Sequence, residues 1–367
     1  MVTAVYYEPN SYWNDFAIVR EHLNRRATDD PSIDWVEHLR AVNGGRQFRK
    51  ALILNCGNGW VERELFDRGL IFAATGTDIS EEFVEQCRRD AGDRLVSYIA
   101  MDINRIDEVI AAGTDLTLTW EPYDLIVNYA ACHHIEMLDR VLSTVRSLCA
   151  PDAIFVSWDY MGPDRNQYPN RQWRAIRRLN DTLPSDLRKK LQYPSLPTML
   201  VHDPSEAIRS SRVHDAIGAW FDVFHDRDLG GGLAYEVITH NRAFFDVDGP
   251  RSDVLDEVRR LLVADEEWTS RNSGGGFRYV LARPRASIDP TIAEARLSAE
   301  RKCQARAIRR GGRYGRRTWP AITSSFGLWA RGRWSRLHPL VFIDTFLVRV
   351  PRVRQALKAL LGRSKPT

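Results

Sequence analysis

Ala51-Leu52-Ile53-Leu54-Asn55-Cys56-Gly57-Asn58-Gly59-Trp60 joins a short apolar run to a glycine turn. Four apolar residues without alternation suit a strand buried on both faces, as in a parallel sheet. The residues behind them tolerate positive φ: glycine lacks a Cβ, and asparagine has a short polar side chain. From Trp60 to Arg68 the apolar positions fall at helical spacing, and Gly69 closes the segment. A glycine turn between a strand and a helix lets backbone N–H groups come close to a ligand.

The same alternation continues down the chain. Ile71 to Thr77 reads as a strand, Glu81 to Asp90 as a helix, Val96 to Ala100 as a third strand and Tyr123 to Val127 as a fourth. A helix from Met137 to Cys149 and a fifth strand from Ala153 to Trp158 follow. Continuous apolar strands alternating with helices predict a parallel sheet covered on both faces. Upstream, Trp13, Phe16, Val19 and Leu23, then Trp35, Leu39 and Val42, lie at helical spacing, and Gly44-Gly45 ends that stretch. Downstream, six prolines between Met161 and Ala219 mark an insertion or lid, with a helix around Arg171 to Leu183. A strand from Trp220 to Phe224, helices over Leu233 to Phe245 and Val254 to Ala264, and a strand from Phe277 to Ala282 complete a seven-stranded pattern.

Ligands of open α/β sheets sit at the carboxyl ends of the strands. Asp78 ends the second strand about 20 residues after the glycine turn, where an acid can accept both hydroxyls of a ribose. Asp102 ends the third strand, placed to accept from a purine amino group, and Asn128 to Ile135 follows the fourth. A plain structural turn with a satisfied strand-end acid remains the alternative for each piece taken singly.

In order and spacing, the stretch from about Tyr12 to Arg283 resembles the class I S-adenosylmethionine-dependent methyltransferases. That resemblance implies a Rossmann-like fold with sheet order 3-2-1-4-5-7-6, the last strand antiparallel, and S-adenosylmethionine as cofactor. It implies cofactor contacts from Asn55, Cys56, Gly57, Asn58, Gly59, Asp78, Ile79, Asp102, Ile103 and Asn128. Two positions depart from the family pattern: the usual acid of the first strand is Ile53, and the first glycine of the turn is Asn55. Trp158-Asp159-Tyr160-Met161-Gly162-Pro163-Asp164-Arg165 is similar to a bacterial subgroup with a Glu/Asp-Tyr-x-Gly-Pro-x-Arg turn after the fifth strand. The run from His202 to Ser210 and the triplet Gly230-Gly231-Gly232 are similar to that subgroup too. Its members are often parts of surface-glycan or secondary-metabolite pathways.

Methyl transfer from a sulfonium is an in-line displacement, in which a protein aligns donor and acceptor and removes a proton from a hydroxyl acceptor. His134, His133 and Asp159 are the catalytic candidates, histidine because its pKa suits proton transfer near neutrality. The alternatives are that a histidine caps the next helix or packs beneath the cofactor, and that Asp159 pairs with Arg165 to brace the loop. Tyr160, Arg165, Glu206 and Arg209 are the candidate substrate residues, Arg165 for an anionic group on the acceptor. Asp203 reads as a local cap, Gly230-Gly231-Gly232 as a close approach to a ligand or a hinge, and Asn241 as a helix-face residue. Tyr6, Tyr7, Tyr12 and Trp13 form an aromatic group that either covers the cofactor or packs in the core.

The chain carries 52 Lys/Arg against 48 Asp/Glu. From Arg285 onward there are 19 basic and 4 acidic residues, so a mildly acidic body carries a basic tail. The expected division is a helical cap over 1–48, a methyltransferase domain over 49–284 with a substrate insertion at 161–219, and an Arg/Trp-rich extension over 285–367. Basic residues interleaved with Trp and Leu suit contact with a membrane surface, binding of a nucleic-acid backbone, or docking of a partner. The five cysteines form no CxxC pair, no secretory signal or membrane-spanning run is present, and a cytoplasmic protein is expected, with peripheral attachment to the inner membrane face as an option. No metal is expected from the spacing of ligand types along the chain. The expected function is methyl transfer to an oxygen or nitrogen of a small molecule or glycan intermediate. The rivals are a methyltransferase-like protein that binds a partner without catalysis, and an RNA methyltransferase using the tail. A nicotinamide-dependent dehydrogenase fits less well, since a third glycine of its turn would fall where Glu62 stands.

Overall fold

The computed structural model describes residues 11–113, 118–119, 121–272 and 275–309. Seven strands form one sheet: β1 (Phe48–Ile53), β2 (Ile71–Asp78), β3 (Val96–Ala100), β4 (Tyr123–Tyr129), β5 (Cys149–Tyr160), β6 (Phe221–Gly230) and β7 (Phe277–Pro284). Their order across the sheet is β3-β2-β1-β4-β5-β7-β6. The first five pair in parallel, and β7 runs antiparallel to both β5 and β6. This is the Rossmann-like order of class I methyltransferases, as expected from the chain.

Adjacent strand residues point to opposite faces, and here both faces are covered. Ile53, Leu125, Val127, Ile154 and Val156 join one buried cluster, while Leu52, Leu54, Ile126 and Phe155 join the other. The first cluster is closed by α1 (Ala17–Thr28), α2 (Trp35–Val42), α3 (Trp60–Asp67) and α4 (Glu81–Asp90). The second is closed by α5 (Ile106–Ala112) and α6 (Leu138–Ser147). Two-sided burial is the reason the central strands read as continuous apolar runs rather than alternating ones.

Within the expected insertion, α7 (Asn170–Asp181) and α8 (Leu196–His202) precede α9 (Val213–Trp220). Val213, Ala216, Ile217 and Trp220 bury against the second face, so α9 is the crossover helix between β5 and β6 rather than part of a lid. Several boundaries differ from expectation: β5 spans Cys149–Tyr160 rather than Ala153 to Trp158, and the helix expected to end at Ala264 runs on to Arg271. β6 runs past the expected end at Phe224 to Gly230 because it pairs with β7 along its whole length, whereas its polar stretch His225 to Asp228 gives no strand signal in sequence. The helix expected over Leu233 to Phe245 is α10 (Ala234–Ile238), which stops where His240 takes φ 54°. Asn241 is therefore no helix-face residue: its amide donates to the carbonyls of Leu187 and Val237, and its oxygen accepts from the Ala243 N–H.

The chain continues through α11 (Leu255–Arg271) to α12 (Pro290–Arg309), within the segment expected as a basic extension. α12 is docked on the body. The buried Glu300 carboxylate accepts the N–H groups of Asp139 and Arg140, capping the start of α6, and Arg296 donates to Asp139 at 2.7 Å. The remaining tail expectations, with Tyr6 and Tyr7, lie outside the described residues. Trp13 is in the core, edge-on to Tyr235 and near Phe277, and the Ser11 carbonyl accepts from His240.

Candidate active site

The glycine turn follows β1 with the left-handed residues its sequence allows: Asn55 at φ 47°, Gly57 at 57° and Gly59 at 74°. Asn55 thus supplies the backbone shape of the glycine it replaces. Its amide also donates to the Ala131 carbonyl at 3.2 Å, tying the turn to the loop after β4. Asp78 holds the turn from the side of β2. One carboxylate oxygen accepts the Gly57 N–H at 2.9 Å and the other the Ser80 N–H at 2.9 Å, which leaves each oxygen a lone pair for a further donor. Ile79 beside it and Trp60 after the turn are exposed large apolar side chains at this edge. Asp102, at the end of β3, accepts from the backbone and side chain of Asn104, and Ile103 is buried. Ile53 lies in the core, so the carboxylate usual at that position is absent.

Beneath the turn, Glu62 is fully buried; its carboxylate oxygens make no well-formed hydrogen bond, and the Tyr98 hydroxyl lies beside them. Burial raises its pKa from the usual carboxylate range to about 7. A carboxyl whose folded pKa lies above its unfolded value is most favourable to folding below the unfolded pKa, and that contribution is lost as pH rises through the folded one. Over this shift the loss amounts to roughly 3 kcal/mol. The melting temperature of the protein should therefore fall between pH 5 and pH 8 more than that of Glu62→Gln. Parallel melting profiles of the two proteins across that range would remove the ionisation of Glu62 from the account.

The loop after β4 is organised by a buried polar network. Asn128, fully buried, donates to Ser157 (2.8 Å) and Asp159 (3.0 Å) and accepts from the N–H groups of Ala131 and Cys132. Asp159, at the end of β5, accepts from Asn128, from the backbone N–H groups of His133 and Tyr160, and from Nδ1 of His133 at 2.5 Å. All of its partners are donors and it is 1% exposed, so it cannot also receive an acceptor hydroxyl. Asp159 is a positioning residue: it accepts from Nδ1 of His133 and so turns Nε2 toward Glu206. Asn128 likewise fastens the loop and presents no free amide to a cofactor.

His134 is set by a second chain of bonds. Ser205 donates its hydroxyl to Asp203 at 2.7 Å, so its oxygen accepts from Nδ1 of His134 at 3.1 Å. Both Nε2 atoms then face one oxygen of Glu206, each at 3.8 Å. Its other oxygen accepts from Asn166 at 3.1 Å. The turn carrying Glu206 is fixed to the histidine loop, because the Ile208 N–H donates to the His133 carbonyl at 3.0 Å. Burial lowers the His133 pKa, but the adjoining Asp159 carboxylate and its hydrogen bond outweigh it and lift the ring to about 9. Burial and then the neighbouring His133 push His134 the other way, leaving it uncharged near neutrality.

Other sequence candidates are placed differently. Arg165 is buried at φ 59° and donates to the carbonyls of Pro204 and Glu206, bracing the 203–208 turn instead of offering its charge to an acceptor. Arg209 donates to the Glu136 carbonyl and to Glu300, on the far side of that turn. Tyr160 is buried with its ring edge-on to His133, and its hydroxyl reaches the Pro163 carbonyl. The triple glycine approaches a side chain: buried Asp265 accepts from the N–H groups of Gly231, Leu233 and Ala234. A Cβ on Gly230 would come within 2.5 Å of that carboxylate. Ser205, Asn166, Glu62 and Asp265 were missed by sequence reasoning; only Ser205 had a signal, in the motif from His202 to Ser210.

Residues 52–157 match the family described as a methyltransferase domain. The matched stretch runs from β1 to the end of β5 and holds the glycine turn, Asp78, Asp102 and both histidines. The match implies S-adenosylmethionine as the cofactor of this site, and the left-handed turn with the half-free carboxylate of Asp78 fits it. No curated protein matches the sequence. Solved structures similar to the chain include an S-adenosylmethionine-dependent methyltransferase from Mesorhizobium loti, 17% identical over 65% of this chain and 91% of that one, TM-score 0.37. A putative sarcosine dimethylglycine methyltransferase from Galdieria sulphuraria is 14% identical over 68% and 83%, TM-score 0.40. The [4+2]-cyclase SpnF is 13% identical over 78% and 89%, TM-score 0.39. Among the described residues, no helix is long and apolar enough to cross a membrane.

Proposed function

We propose that this chain transfers a methyl group from S-adenosylmethionine to an oxygen or nitrogen of a small molecule or glycan intermediate. The observation that carries the reading is the cluster of His133, His134 and Glu206, held by Asp159 and Ser205 beside the loop that follows β4. The cofactor supplies an electrophilic methyl on sulfur when bound. Gly57, Gly59 and Asp78 would hold its nucleoside and amino acid ends, with Asp102 at the adenine. The acceptor's hydroxyl or amine would donate toward the Nε2 lone pair of His134, the uncharged ring of the two. Proton removal by a positioned group of this kind contributes about 10²–10⁴-fold to rate. In this reading 49–284 is the methyltransferase unit, its 161–219 segment brings Glu206 to the acceptor, and contact of the basic tail with a membrane surface is a separate proposal.

Calorimetric titration with S-adenosylmethionine tests the first half, and release of S-adenosylhomocysteine in the presence of candidate acceptors tests the second. A chain that binds the cofactor yet turns over no hydroxyl or amine acceptor would favour a partner-binding role without catalysis. Buried Ile53, in place of the usual acid, is the observation that supports that second reading.

A further inference from the structure

We infer that His133, His134 and Glu206 form a three-ligand site for a divalent first-row transition ion, of which Zn²⁺ is the plainest case. The inference rests on the methyltransferase reading only for the use made of the ion, not for the site.

Asp159 has only donors around it, so His133 keeps its Nδ1 proton and Nε2 is the nitrogen left for a cation to take. The Ser205 hydroxyl proton is spent on Asp203, so the proton of His134 also sits on Nδ1. Two imidazole nitrogens and a carboxylate oxygen thereby face one another, with all three ligand atoms within 4.8 Å. In the metal-free cluster a proton on His133 Nε2 balances the Glu206 carboxylate, and a divalent cation would displace that proton into solvent. A carboxylate behind one ligating imidazole, and a hydroxyl behind the other, are the outer partners that set ring orientation at metal sites. The Nε2 to Oε2 distances of 3.8 Å exceed the ~3.3 Å between ligands on a tetrahedral ion with bonds of about 2.05 Å. A contraction of about half an ångström on these two pairs, with the histidine nitrogens, held within 4.8 Å, drawing together as well, would close the site. His134 and Glu206 are 26% and 24% exposed, so the fourth position is open toward solvent, as in sites that also bind a reacting oxygen. With the ion in place, the acceptor's oxygen would meet the cation where it otherwise meets the His134 Nε2 lone pair, which favours a hydroxyl acceptor over an amine. The buried group of Cys56, Glu62 and Cys87 under the glycine turn is a rival donor set, and the test separates the two.

The test uses full-length, tag-free protein stripped with chelator and titrated with Co²⁺ and then Zn²⁺. The expected result is one ion per chain, with Co²⁺ visible bands of nitrogen and oxygen ligation and no strong near-ultraviolet thiolate band. Glu206→Gln and His134→Gln should each weaken Kd by at least about 100-fold, and Ser205→Ala by about tenfold through ring orientation. Cys87→Ser should leave Kd unchanged. S-adenosylmethionine binding is measured on the same stripped samples, so loss of the methyltransferase reading is scored separately. No stoichiometric ion, or an ion with thiolate bands that Cys87→Ser removes, overturns the proposal. Binding indifferent to Glu206→Gln and His134→Gln overturns it as well, leaving a proton shared between His133 and Glu206 to fill the cluster.

Discussion

Asp78→Ala should weaken S-adenosylmethionine binding by about 100-fold or more while the protein stays folded. Two backbone N–H groups, of Gly57 and Ser80, donate to the carboxylate in the structure, and each hydrogen bond to a charged group is worth roughly 1.5–3 kcal/mol. The substitution removes the ribose acceptor and at the same time frees the turn whose left-handed conformation forms the cradle. The two losses act on one ligand, so the expected effect exceeds that of Asp102→Ala, for which about tenfold is anticipated. Calorimetry on the three proteins, with melting temperatures alongside, measures it. Unchanged affinity in Asp78→Ala would mean that the cofactor does not lie along this edge of the sheet.

The second large effect concerns transfer itself. His134→Ala should lower the rate of S-adenosylhomocysteine release by about 10²–10⁴-fold and leave cofactor affinity within about threefold. Its Nε2 is the uncharged acceptor of the cluster, and no bond of its side chain runs to the glycine turn. Asp159→Asn should reduce transfer comparably, but with lower stability as well. The new amide would face donors from Asn128, His133 or Tyr160, and a buried unsatisfied donor costs about 1–3 kcal/mol. Full activity in His134→Ala, with an acceptor that the parent protein methylates, would move the proton-accepting role off this loop.

Much of the fold was legible because its signals are local. The continuous apolar runs of β1, β4 and β5 require two-sided burial, and the turn at Asn55, Gly57 and Gly59 requires residues that accept positive φ. Those two facts, repeated along the chain, imply the parallel sheet and the edge on which a ligand sits. β6 beyond Phe224 and the early end of α10 were not legible. An edge strand is made by its neighbour's free backbone groups, and α10 is stopped by contacts between Asn241 and a segment far along the chain.

The candidate site divides the same way. By itself the sequence determined the glycine turn, the strand-end acids and the presence of two histidines after β4, because each occupies a position that chain order alone assigns. Only the tertiary structure decided what those groups do. It turned Asp159 and Arg165 inward as braces, made Glu300 a cap for α6, and aimed Glu206 at both imidazoles from some seventy residues away. A side chain's role depends on which donors and acceptors surround it, and those come from segments that no spacing along the chain brings together.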